Sequence, residues 1–270
     1  MTTYNGFNSW ASAMRAIRAA GFNFSSALGA TESNPKLTKG EKIGVLSAPH
    51  NLAPASESGF NMCSNASPGC IAACLNTAGN PVYLEAKLEA RIQRTLAFMK
   101  CRQAYLALMA FELESLEKKA AKLKMLPAWR PNTTSDYPFH SLAITVNGKP
   151  VKSLIHHFSK IQAYDYTKVA KKALQAAAGL LPENYHITFS KSEVNDSDVL
   201  RVLQAGGNVA VVFSGKILPK MYNGFPVING DVTDYRPNDA SNVIVGLKAK
   251  GKAKADQSGF VVQQHILQEA

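Results

Sequence analysis

Three of the four cysteines fall within a dozen residues, as Cys63, Cys70 and Cys74, in the spacing C-x6-C-x3-C. Thiolates are soft ligands that suit iron–sulfur clusters, zinc or copper. In a reducing compartment, clustered cysteines are more often metal ligands than disulfides. Cys70 and Cys74 stand at i, i+4 spacing, so one helical turn can turn both toward a single metal centre. The Ser, Pro and Gly residues around Cys63 let the loop wrap back, and its backbone N–H groups can bond cluster sulfurs. Zinc sites usually carry C-x2-C knuckles or nearby histidines. Neither is present: the nearest histidine, His50, lies thirteen residues before Cys63. The pattern points to a 4Fe-4S cluster on three cysteines, with zinc or merely buried thiols as alternatives. A helix over Pro81–Lys100 carries the fourth cysteine, Cys101, about 30 Å from the helix start, which leaves it out of the set. Three protein ligands leave one iron open to a substrate or a small ligand such as S-adenosylmethionine.

These cysteines need elements to hold them. Ser9–Ala20 reads as a short helix, with Trp10, Met14 and Ile17 on one side. Ile43–Ala48 reads as a buried strand stopped by Pro49. After the cysteine loop, Cys70–Leu75 makes one or two helical turns, and Gly79-Asn80-Pro81 stops them. Pro81 opens a long helix to about Lys124, with Leu84, Leu88, Ile92 and Leu96 as its core stripe and a break near Cys101. Strand-like and helix-like segments then alternate. The strands are Ala128–Arg130, Leu142–Val146, Ile161–Tyr166, Tyr185–Phe189, Asn208–Phe213, a weak Val227–Ile228, and Val243–Leu247. The helices are Ser153–Ser159, Val169–Ala178 and Asp196–Gln204, the last stopped by Gly206-Gly207. Such alternation implies a mainly parallel sheet. The expected fold is α/β: a single domain over residues 41–262, a full or partial (β/α) barrel with a long helix after the cysteine loop. Residues 1–40 read as an arm and 263–270 as a tail; an open doubly wound sheet is the other arrangement.

In parallel α/β folds the functional face lies at the C-terminal ends of the strands. Polar residues recur there. Arg130, Asn132, Thr134, Ser135 and Asp136 follow the second strand. Tyr164, Asp165, Tyr166 and Lys168 follow a third. His186, Thr188, Ser190, Lys191, Ser192 and Glu193 ride on or after a fourth. Asp231, Asp234, Arg236, Lys248 and Lys250 come later. Arg130, Asn132, Ser135, Asp136, Tyr166, Lys168, Ser190, Glu193 and Lys248 are the expected substrate-binding set. His156-His157 reads as surface or core rather than a metal site.

The composition is globular, 46% hydrophobic and 18% charged, and the net charge is +11. That balance favours nucleic acid or a phosphorylated or acidic ligand. Lys248, Lys250, Lys252 and Lys254 supply part of it, either as phosphate contacts or as a solvated basic edge. No apolar run approaches the roughly 20 residues of a membrane span. No signal pattern opens the chain, so a cytosolic protein is expected. No P-loop, HExxH, G-x-G-x-x-G or Ser-His-Asp element is found.

Several blocks resemble an uncharacterised phage family called gene product eighty-eight. They are Leu52-Ala53-Pro54-Ala55-Ser56, Asn61-x-Cys63, Ala66-Ser67-Pro68-Gly69-Cys70, and Cys74-Leu75-Asn76-Thr77-Ala78-Gly79. Asn132-x-x-Ser135-Asp136, Tyr164–Lys168, Phe189-Ser190-x-Ser192-Glu193, Gly207–Phe213 and Gly246–Gly251 continue the match, over roughly residues 34–262. The resemblance implies a phage protein acting in the bacterial cytoplasm and supplies no activity. The layout is also similar to radical S-adenosylmethionine enzymes, where three cysteines follow the first barrel strand. Those use C-x3-C-x2-C and a Gly-Gly-Glu motif, and this chain has neither. The functional expectations are therefore an iron–sulfur enzyme or a relative without that chemistry, a nucleic-acid-binding protein with a structural or redox-sensing cluster, or a zinc-stabilised phage–host interaction protein.

Overall fold

The computed structural model describes residues 1–33, 35–77 and 84–263. The expected stop at Gly79-Asn80-Pro81, and with it the start of the long helix, lies outside them. The chain divides into two compact units, Met1–Cys63 with Glu85–Ala163 and Ser64–Leu84 with Tyr164–Ala270. The fold is mixed α/β with a mostly parallel sheet. No described helix is long and apolar enough to cross a membrane.

In the first unit, α1 (Trp10–Ala19) starts on a capping box in which Ser9 and Ser12 bond each other's backbone amides. It buries Ala13, Met14 and Ile17. Trp10, expected on that face, is 37% exposed and instead donates its ring N–H to Glu112 (2.9 Å). A short α2 (Pro35–Glu41) was not anticipated. Strand β1 (Val45–Pro49) begins two residues later than expected. Gly44 has a positive φ of 75°, and Ile43 before it is exposed. Pro49 is the strand's last residue rather than its stop. The strand pairs with β2 on one side, so a missing N–H is tolerated there. The strand β2 (Leu126–Arg130) runs parallel to β1, in register from Val45–Leu126 to Pro49–Arg130. The first two residues of β5 (Gln162–Thr167) pair with β2.

The long helix is two: α4 (Leu84–Lys100) and α5 (Arg102–Leu123), broken at Cys101 as expected. On α4, Leu88, Ile92 and Leu96 are only half-buried. The fully buried positions are Thr95, Ala97 and Phe98. The rotation has a polar cause: Thr95 accepts the Ala53 amide (2.8 Å), so the helix turns that face toward the loop after β1. In α5, every residue from Ala104 to Ala110 is buried, as in a helix at the centre of a core. Leu142–Val146 was expected as a strand; Ile144–Val146 (β3) instead forms a separate antiparallel hairpin with β4 (Lys149–Val151). Asn147 and Gly148, both at positive φ, make its tight turn. The next helix is a single turn, α6 (Leu154–His157).

The second unit contains α3 (Pro68–Ala72), the end of β5, α7 (Ala170–Ala177), β6 (Tyr185–Ser190), α8 (Asp196–Gln204), β7 (Asn208–Phe213), β8 (Met221–Tyr222), β9 (Phe225–Asn229), β10 (Ile244–Lys248) and β11 (Val261–Val262). The order is β5-β6-β7-β10-β9-β8. The pairs β6–β7, β7–β10 and β10–β9 are parallel, and β8–β9 is a hairpin. Strand β7, NVAVVF, is an apolar run because it is central and covered. The short β11 has no sequence signature; it extends past β6 along the same edge of β7, pairing with Val212 and Phe213. Gly206, at φ 86°, ends α8 as its sequence indicates.

His50 knits the interior of the first unit. It is fully buried; Nδ1 is 2.9 Å from the Pro131 carbonyl and Nε2 2.9 Å from the Tyr105 hydroxyl. A carbonyl only accepts, so Nδ1 carries the hydrogen and Nε2 accepts from Tyr105. Burial pushes the ring's pKa down to about 3. The folded state therefore holds His50 neutral, while the unfolded chain protonates it below about pH 6.5. Stability is fully present above that value and is lost as pH falls, by about 1.4 kcal/mol per pH unit for this group. Urea denaturation between pH 7.5 and 5 should show the loss, with a shallower slope in His50→Gln. An identical slope in the two proteins contradicts it.

Candidate cysteine site

In the first unit, the loop after β1 and the turn after β2 are sewn together. The Asn132 carbonyl accepts from the Ser135 hydroxyl and the Tyr137 amide, both at 2.8 Å, and its NH2 donates to the Tyr137 carbonyl. The turn this holds reaches across. Thr133 N–H donates to the His50 carbonyl, Thr134 O–H to the Leu52 carbonyl (2.6 Å) and Asp136 N–H to the Met62 carbonyl (2.8 Å). Arg130 is buried at the end of β2, and its carbonyl accepts the His50 amide.

Cys63 sits at the end of this loop. Its amide donates to the Asn61 side chain (2.9 Å). Its sulfur accepts the Ala55 N–H at 3.4 Å and lies 3.9 Å from the Thr134 carbonyl. Ala55 has φ 44°, the left-handed region that a residue with a Cβ enters only where its surroundings hold it.

In the second unit, α3 is fastened by Glu193. One carboxylate oxygen accepts the Ser67 hydroxyl (2.7 Å), the other the Gly69 amide (2.7 Å). Ser67 is also the helix N-cap, accepting from the Cys70 amide, and Pro68 follows at the first helical position. A Cβ at Gly69 would come within 2.3 Å of the Ser258 hydroxyl and 2.8 Å of the Glu193 carboxyl, so a larger residue there would displace both side chains. Burial pushes the Glu193 carboxyl up, but the Ser67 hydroxyl and backbone amides including Gly69 outweigh it and hold it below the ordinary carboxylate value. Asn195 fixes Glu193's own turn, bonding the Ser192 amide and the Ser190 carbonyl. Cys70 packs against the apolar cluster formed by Ala73, Ala253, Phe260 and Val261. Cys74 lies just beyond the helix, half-buried.

The remaining expected residues sort into two kinds. At the strand ends, Lys168 Nζ donates to the Ser190 hydroxyl (2.8 Å) and lies over the Phe260 ring, 5.2 Å from its centre. Tyr166 is half-buried on β5. Lys248 closes β10 with its amide on Asp231, and Lys250 forms an ion pair with the same carboxylate (2.7 Å). The others are interior. Asp165 is fully buried and accepts the Tyr185 hydroxyl (2.7 Å). Burial, with Arg236 nearby, pushes His186 down to about 4. Arg236 is itself buried, 3.2 Å from Asp239 but off the angle of a hydrogen bond.

Among the described residues no disulfide is formed, and all four cysteines are half-buried. Cys63 belongs to the first unit, Cys70 and Cys74 to the second. Among the described residues no group of three or more His, Cys, Asp or Glu side chains is gathered to hold a metal ion. Burial pushes the Cys101 thiol up, opposite to what a ligand needs. Thr95, Asn195 and Phe260 carry no mark in the sequence, and Ser67 stands there only as part of the cysteine motif. Only Ser67 carried a signal, a serine before proline at a helix start.

The profile described as Gene product 88 matches residues 25–264, nearly the whole chain. The chain belongs to this phage family. Comparison with curated proteins and with solved structures gives no match. The family match spans both fastened loops, and their motifs pair within each unit: Asn132-x-x-Ser135-Asp136 with the Cys63 loop, Ser192-Glu193 with Ser67-Pro68-Gly69.

Glu193→Ala should free α3. Losing two bonds to a charged group, about 1.5–3 kcal/mol, speeds hydrogen exchange at the amides of Gly69, Ile71 and Ala73 by roughly 10–100-fold. Exchange of β7 should stay unchanged. Unaltered exchange of α3 would show that the carboxylate does not hold it.

Proposed function

We propose that this phage protein is an iron–sulfur protein in which Cys63, Cys70 and Cys74 ligate one 4Fe-4S cluster, with three thiolate ligands and one open iron. The observation that carries it is the Cys63 sulfur, which already receives a backbone N–H at 3.4 Å from a residue in left-handed conformation. Three soft thiols without a histidine suit iron–sulfur chemistry better than zinc. Bound, the cluster would supply electron transfer or an open Lewis-acidic iron. The chain's own residues do the rest: the Asn132 turn and the Glu193 clamp hold the two cysteine loops, and Lys168, Ser190 and neighbouring strand-end groups bind a polar substrate. The strand ends belong to a full or partial barrel in this reading, and the protein works in the host's cytoplasm.

A reconstituted protein given S-adenosylmethionine and a reductant separates two forms of the proposal. Release of 5′-deoxyadenosine marks a radical enzyme; none marks a relative that keeps the cluster without that cofactor.

A second reading rests on the net charge of +11, with Lys252 and Lys254 exposed on the turn after β10. It makes the chain a nucleic-acid-binding protein with a structural or redox-sensing cluster. Phosphate contacts would make that binding fall steeply with salt.

Iron, sulfide and zinc analysis after anaerobic purification tests the first reading. The expected result is a brown protein with about four irons per chain. Cys63→Ala, Cys70→Ala and Cys74→Ala should each lose most of the iron, and Cys101→Ala should keep it. Stoichiometric zinc without sulfide points to the zinc-stabilised interaction protein and overturns the proposal.

A further inference from the structure

The groups between β5, β6 and the C-terminal segment have a chemistry of their own. Lys168, just after β5, and Ser190, the last residue of β6, are half-buried and 2.8 Å apart. The lysine ammonium donates and the serine oxygen accepts, so the hydroxyl proton is directed away from the lysine. Among the described residues nothing accepts that proton. The ammonium also lies over the Phe260 ring, which fixes its position. The same ring belongs to the apolar cluster on which Cys70 packs. A cation and an outward O–H donor are thus held together, over the apolar cluster against which a candidate ligand thiol also packs.

We infer that Lys168 and Ser190 form an anion subsite that takes the phosphate or carboxylate group of a small substrate and places it beside Cys70. An anionic oxygen can accept from the ammonium and the hydroxyl together, and a bond to a charged group is the stronger kind. Phe260 would shield one side of the bound group from water. The inference rests on the proposed function only in calling the bound group a substrate; the subsite itself needs no metal.

Titration of the full chain with inorganic phosphate and, separately, with acetate tests it, on both metal-loaded and metal-stripped protein. Saturable binding of phosphate, of acetate or of both is expected, and the probe that binds names the group. Lys168→Met should weaken binding at least tenfold and Ser190→Ala severalfold, while Lys168→Arg retains most of it and Lys252→Met changes nothing. Iron content should be the same in all four variants. Circular dichroism of each variant confirms folding, and Ser190→Ala decides the matter if Lys168→Met does not fold. Binding as tight in Lys168→Met and Ser190→Ala as in the parent, or no saturable binding of either anion, overturns the inference. A parent protein that holds no iron and still binds the anion would sink the cluster and leave the subsite standing.

Discussion

The second unit depends on a carboxylate placed where no other group would fit. Glu193 reaches back across 124 residues of sequence to the Gly69 amide and across 126 to the Ser67 hydroxyl. Closing so long a loop is entropically unfavourable, so the contact must be strong and specific. It is both: the acceptor is charged, the donors are two, and a side chain larger than that of Gly69 would push the carboxylate aside. The start of α3, which carries Cys70, hangs from this contact. The short α3 has too few residues to be stable on its own. Its cysteines keep their places because Glu193 and the Ser67 cap hold the helix start and the Phe260 cluster holds its side.

The first unit reaches a similar end with a neutral group. Asn132 folds the turn after β2, and that turn then spends its own amides and hydroxyls on the carbonyls of the Cys63 loop. Buried beneath it, His50 ties the end of β1 to Tyr105 on α5 and to the Pro131 carbonyl. The left-handed Ala55 is the strained point of this arrangement, and it is the residue whose amide meets the Cys63 sulfur. Strain held by so many surrounding bonds is the kind that accompanies function.

Much of this was legible in the sequence. Residues with strong local character marked their elements closely. Helix α8 and strand β7 were bounded to the residue, because polar turns flank an amphipathic run in one case and an apolar run in the other. The break at Cys101 and the Gly206 stop were also visible. What was not legible depended on tertiary contacts. The half-burial of Leu88, Ile92 and Leu96 follows from Thr95 seeking the Ala53 amide. Two residues cannot announce β11; the edge of β7 makes it a strand. In the site, the residue types after each strand were visible, but not which were structural. Asp165 and His186 look like Glu193 and Ser190 in sequence, and only burial separates them. The pairing of motifs, a glutamate with one cysteine block and an asparagine with another, needed the fold.

The central claim is that three thiols on two separately fastened loops serve one metal centre, with Cys101 apart. Alkylation of anaerobically prepared, metal-loaded protein by iodoacetamide, with mass spectrometry of each cysteine peptide before and after chelation, addresses it directly. Cys63, Cys70 and Cys74 should be protected together and become reactive together when the metal is removed, while Cys101 reacts alike in both. Protection of Cys70 and Cys74 without Cys63, or no change at any of the three on chelation, would contradict it.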